Sequence, residues 1–143
     1  METRKKAGGI RLAIEVALLL VVLICVLLCF IPIKRTVKNA GTCTCEKDGN
    51  DISAQYSVDG VYYHYVIPLV YKDYYQGEIV IHPNGMESVI FQGTSYAQGN
   101  SLGMANHETM ATTEITYSGL FRHLNMNIRS GDGQEITIAD LSL

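Results

Sequence analysis

The chain has 143 residues, a net charge of −3, four cysteines and no tryptophan. After the first 45 residues, enough remains for one small domain of about 90–100 residues. Lys and Arg gather near the start and acids outnumber them later, so there is no basic stripe for nucleic acid, and no cysteine follows Cys45, so the domain is not a disulfide scaffold.

Residues 1–11, METRKKAGGIR, form a basic head. Residues 12–33, LAIEVALLLVVLICVLLCFIPI, hold one charge, Glu15, and residues 16–33 hold none. As a helix the uncharged part is about 27 Å long, close to the hydrocarbon thickness of a bilayer. A soluble core helix has no need to be apolar on every face over that length. The segment predicts a single N-terminal transmembrane α-helix, and its length and lack of a small-x-small site favour a retained signal anchor. Arg4, Lys5, Lys6 and Arg11 precede it and Lys34, Arg35 and Lys38 follow. The long, strand-like tail favours the N-terminus inside and the C-terminal domain outside the cytoplasm. Cys25 and Cys29 share one helix face and read as small apolar packing residues.

The basic Lys5-Lys6, the Gly8-Gly9 pair, Ile14-Glu15, the apolar run and Ile31-Pro32 follow one another in order. Together they resemble the N-terminal segment of type IV pilins and pseudopilins. The resemblance implies processing after Gly9. It implies a register role for Glu15 against a neighbouring subunit's N-terminus, and a helix break at Pro32. The chain departs from the family in that a cut after Gly9 would place Glu15 sixth rather than fifth, with Arg11 as second residue. What the resemblance implies is a minor subunit of a filament or secretion machine.

Residues 34–51 read as a polar linker carrying Cys43-Thr44-Cys45. The two cysteines are a candidate disulfide, within or between chains, or a pair of thiols. Without a second pair they do not make a tetrahedral zinc site.

Strand periodicity begins at Ile52. Residues 52–58 alternate, Asp59-Gly60 predicts a hairpin turn, and residues 61–71 form the next strand, with Pro68 at an edge or break. Tyr62, Tyr63, Tyr65, Tyr71, Tyr74 and Tyr75 cluster here. Tyrosine suits a half-buried pleated face, and it also gives contact area at low entropic cost. Residues 78–82 and 86–92 form a hairpin around Pro83-Asn84-Gly85. Residues 93–110, rich in Gly, Ser and Asn, read as one long loop for partner contact. Tyr62, Tyr63, Tyr65, Tyr74, Tyr75, Tyr96 and His107 are the candidate partner-binding residues. Strands over 112–117, 120–129 and 135–141 close the chain, with Leu120, Leu124, Met126 and Ile128 on one face and Ile136 and Ile138 inward. The expectation for residues 52–143 is a mainly-β domain of about seven antiparallel strands, a sheet, sandwich or meander.

No HExxH, Walker, GxSxG or GxGxxG sequence occurs, and the four histidines are scattered. His107-Glu108 is the one adjacent acid–base pair, and no third group is evident to orient it. The reading is therefore not an enzyme, with no cofactor and no metal site. It is a membrane-anchored structural or assembly protein whose partners are the lipid bilayer and other membrane or extracytoplasmic proteins, copies of itself among them. The alternative is a bitopic accessory or receptor-like module that binds through the 93–110 loop and the tyrosines.

Overall fold

The computed structural model describes residues 2–67 and 71–143, with side chains from residue 12 onward apart from Leu28. One helix, α1 (Glu2–Cys29), is followed by eight strands. These are β1 (Ile33–Lys47), β2 (Asn50–His64), β3 (Tyr74–Pro83), β4 (Val89–Tyr96), β5 (Ser101–Asn106), β6 (Ala111–Ser118), β7 (His123–Arg129) and β8 (Glu135–Ser142). All eight lie in one antiparallel sheet, in the order β4-β3-β2-β1-β8-β7-β6-β5. The chain is thus a meander whose last strand returns to its first. The two ends of the order, β4 and β5, lie side by side, so the sheet is a nearly closed barrel.

The expected transmembrane helix is corrected. Among the described residues no helix is long and apolar enough to cross a membrane. The apolar stretch is divided between two elements. Helix α1 starts inside the basic head and ends at Cys29, where Phe30 N donates to Leu27 O (3.1 Å) in the last turn. Pro32 cannot donate to a helical carbonyl, and β-branched Ile33 already belongs to β1.

The expected linker is also corrected. Residues 33–47 form β1, paired with β2 along its whole length from Ile33↔His64 to Lys47↔Asn50. The turn between them is Asp48-Gly49, with φ of 53° and 78°, which matches the twist of a two-residue hairpin. Asp59-Gly60, expected as the turn, runs straight through β2. Gly60 lies opposite Gly77 on β3, and a Cβ there would meet Tyr75 Oη at 2.5 Å. That glycine serves close packing rather than reversal.

Two more expectations change. The 93–110 loop is the end of β4, a tight turn, β5 and a second turn, which raises the strand number from about seven to eight. Leu120 and Phe121, placed in a strand on opposite faces, sit in the β6–β7 turn at φ 56° and 67°. Phe121 is fully buried and Leu120 exposed, the reverse of the expected facing. The break expected at Pro68 falls outside the described residues.

The core is the barrel interior. Val58, Ile79, Ile81, Phe91, Leu102, Ile115, Leu124, Ile136 and Ile138 fill it, and no described side chain of α1 is part of it. At the end nearer the helix the filling is aromatic. Phe121 is stacked between Tyr62 (5.1 Å) and Tyr75 (4.9 Å), with Tyr117 tilted against it (5.4 Å). There β1 and β8 have parted, since their ladder covers only Cys45–Lys47 against Ile136–Ile138. Side chains bridge the gap. Arg35 Nη1 donates to Leu120 O (2.7 Å) and Asn39 Nδ2 to Ser142 O (3.2 Å).

Candidate functional site

Register gathers the outward tyrosines into a row. Lys34 lies opposite Tyr63, Tyr63 opposite Tyr74, and Tyr74 opposite Tyr96, so four adjacent strands each contribute one residue. Tyr63 and Tyr74 stack at 4.3 Å and 11°, Tyr74 and Tyr96 meet at 5.5 Å, and the Lys34 ammonium lies 5.6 Å from the Tyr63 ring centre. Beside the row Tyr65 stacks on Tyr71 (5.0 Å), and Tyr71 meets Phe30 at the end of α1 (6.2 Å). Rings stacked on one another hide their faces and present edges and hydroxyls; Tyr96 is the most open, at 63%, followed by Tyr71 at 49%. Burial, then the neighbouring phenols Tyr63, Tyr65 and Tyr96, push the Tyr74 hydroxyl up from its usual range, so it remains a neutral donor.

Not every expected tyrosine belongs to this row. Successive residues on a strand face opposite ways, which separates Tyr62 from Tyr63 and Tyr75 from Tyr74. Tyr62 and Tyr75 are buried core residues. Tyr62 Oη donates to Asp73 Oδ2 at 2.6 Å, and Tyr75 Oη donates to Glu78 O at 3.2 Å.

Asp73 gathers the helix-proximal end of the barrel. Its carboxylate accepts from Tyr62, from His64 Nδ1 (2.8 Å) and from Tyr65 N (2.8 Å), and its carbonyl accepts from Ala97 N (2.7 Å). Burial alone would raise this carboxyl, but the hydrogen bonds from Tyr62, His64 and Tyr65 outweigh it and hold Asp73 below its ordinary value. Burial, with Asp73 next, pushes Tyr62 far up, so the phenol stays a donor. Nothing in the sequence around Lys72-Asp73 singled this residue out. Its role arises because the Tyr63↔Tyr74 register sets Asp73 beside the end of β2.

His107 is not with the tyrosines. It is exposed in the β5–β6 turn, at the opposite end of the barrel, where Asn106 Oδ1 accepts from Glu108 N and Thr109 N. At that end an open groove of about 710 Å³ runs between the β3–β4, β5–β6 and β7–β8 turns. Its lining includes Glu108 and Met110, from the 93–110 stretch expected to make partner contact, together with Met86, Glu87 and Asp132, which the sequence did not single out.

The remaining candidates are placed as follows. Glu15 is exposed on α1, Gly9 lies within the same helix, and Pro32 separates helix from strand. Cys43 and Cys45 are free and both face inward from β1. Side chains two apart on one strand are about 6.5 Å from each other, too far for the Cβ separation of a disulfide, which corrects the intrachain bridge. Burial pushes both thiols up, with Cys45 adding to the effect at Cys43, so neither is primed as a nucleophile. Among the described residues no group of three His, Cys, Asp or Glu side chains could hold a metal ion. No family model, curated protein or solved structure matches the chain.

Proposed function

We propose that this chain is a structural and interaction protein: a β-barrel module held at a lipid surface by its apolar helix, with the tyrosine row at the headgroup level. One observation carries the reading. Every side chain of α1 from Ala13 to Leu27 is exposed, on all faces, and no described side chain of α1 belongs to the barrel core. An apolar helix exposed on all faces needs an apolar surrounding that the barrel does not supply. The tyrosines next to the helix end have apolar rings and polar tips, the chemistry suited to a boundary between lipid and water, and Lys34 adds a cation there.

The test is flotation with lipid vesicles. The full chain is expected to float with the vesicles, and residues 33–143 to stay in solution as a folded β protein. A full chain that remains folded, monomeric and unbound beside vesicles would contradict the proposal.

A second reading, assembly through α1, is favoured by Glu15. A lone carboxylate among apolar side chains is costly in lipid, and a cationic partner from another copy would offset that cost. The pilin-like version of this reading adds processing at Gly9. Glu15→Ala is then expected to leave vesicle binding intact and to abolish cross-linking between copies.

A further inference from the structure

The groove at the far end of the barrel stands apart from α1 and the tyrosine row. Its floor is apolar: Val89, Ala111, Ile128 and Ile136 are buried beneath it. Met86 and Met110 form its lips, and thioether side chains adapt readily to different apolar surfaces. Met110 is 73% exposed, and its backbone is held at φ 54°. A non-glycine residue seldom adopts that conformation, and such strain gathers where a protein meets a ligand. Packing holds it in place, since Gly131 of the β7–β8 turn lies so close that a Cβ there would be 2.9 Å from Met110 Cβ. Around the groove, the carboxylates of Glu87, Glu108 and Asp132 face one ammonium, Lys47. The Ser130 hydroxyl, then Gln134 N, bond the Asp132 carboxylate and keep it ionised. The volume is that of a ligand site, but the groove is open and crosses three turns, so an extended chain can lie in it without threading.

We infer that this groove binds a short segment of another protein in which an apolar side chain is flanked by lysine or arginine. The apolar side chain rests on the floor between Met86 and Met110, and the flanking cations meet Glu87 and Glu108. The inference depends on the barrel alone and stands whatever surrounds α1.

The test titrates the capped pentapeptide Lys-Leu-Lys-Leu-Lys into the detergent-solubilised full chain and follows backbone amide NMR shifts. Shifts are expected at Glu87, Glu108, Met110 and Asp132. The double variant Glu87→Gln/Glu108→Gln, changed only at exposed positions, should weaken binding by about tenfold or more. Met110→Gly removes the thioether while relieving the backbone, so it should keep the fold and still weaken binding. Absence of shifts at millimolar peptide would overturn the inference. So would equal shifts with Glu-Leu-Glu-Leu-Glu, shifts centred on another surface, or binding unchanged by both variants.

Discussion

The two ends of the barrel are built on opposite principles. At the helix-proximal end the interior is a stack of aromatic rings, locked by Asp73 and bridged by Arg35. At the far end the aliphatic core rises to an open groove with exposed methionine and exposed carboxylates on its rim. The first end spends its chemistry on holding strands together where the β1–β8 ladder has stopped. At the second the β1–β8 ladder is in place, and side chains on the turns are left free. The difference teaches that the clustered tyrosines are partly structural, and that the free binding chemistry lies where no aromatic cluster marks it.

The comparison breaks most sharply at Phe121. Phe121→Ala should cost about 3–5 kcal/mol, read from chemical denaturation of residues 33–143, because it empties the space between Tyr62 and Tyr75. A loss under about 1 kcal/mol would mean that the aromatic stack does not hold this end.

Asp73 comes next. Asp73→Asn should cost about 1–3 kcal/mol, since buried donors lose a charged acceptor. The pH dependence follows from its lowered folded value. A carboxyl depressed on folding adds stability above its unfolded value, about 3.9, and that contribution is lost as pH falls through the lower folded value. The parent should therefore weaken in acid below about pH 4, and Asp73→Asn should flatten that limb of the curve. An unchanged acid limb would remove Asp73 from its central place.

The smallest effect sharpens the contrast from inside the core. Thr113 Oγ1 is buried without a hydrogen-bond partner among the described residues. Thr113→Val should raise stability by about 1 kcal/mol, measured by the denaturation midpoint at constant slope. A loss instead would mean that the hydroxyl has a polar partner in solution.

Much of the fold was legible because alternation is local. The turn expected around Pro83-Asn84-Gly85 joins β3 to β4, and Ile136 and Ile138 point inward. The failures came where a local signal had two meanings. Asp48-Gly49 and Asp59-Gly60 are the same dipeptide, and only pairing with Gly77 and the Tyr75 ring tells the close-packing glycine from the turn. Residues 34–47 looked like a linker because just Val37 and Cys45 are fully buried on that strand. Their strand character comes from the partner β2, which no single-strand pattern reveals. Of the tyrosines named together as candidate contacts, Tyr63, Tyr74 and Tyr96 face outward and Tyr62 and Tyr75 face the core, a division that appears only once register fixes the faces. Asp73, Met86, Glu87 and Asp132 carry no local signal, because long-range pairing brings them to their sites, whereas Glu108 and Met110 lie in the 93–110 stretch that composition had marked.

The polarity of the molecule can be measured in one experiment. The full chain is bound to vesicles that carry a paramagnetic label on the lipid headgroup, and relaxation of the backbone amides is recorded. Strong broadening is expected at Tyr63, Tyr65, Tyr74 and Tyr96, and none at Glu87, Glu108 and Asp132. Broadening centred on the β5–β6 and β7–β8 turns, or equal at both ends, would contradict a barrel held to lipid by its tyrosine end with its groove facing away.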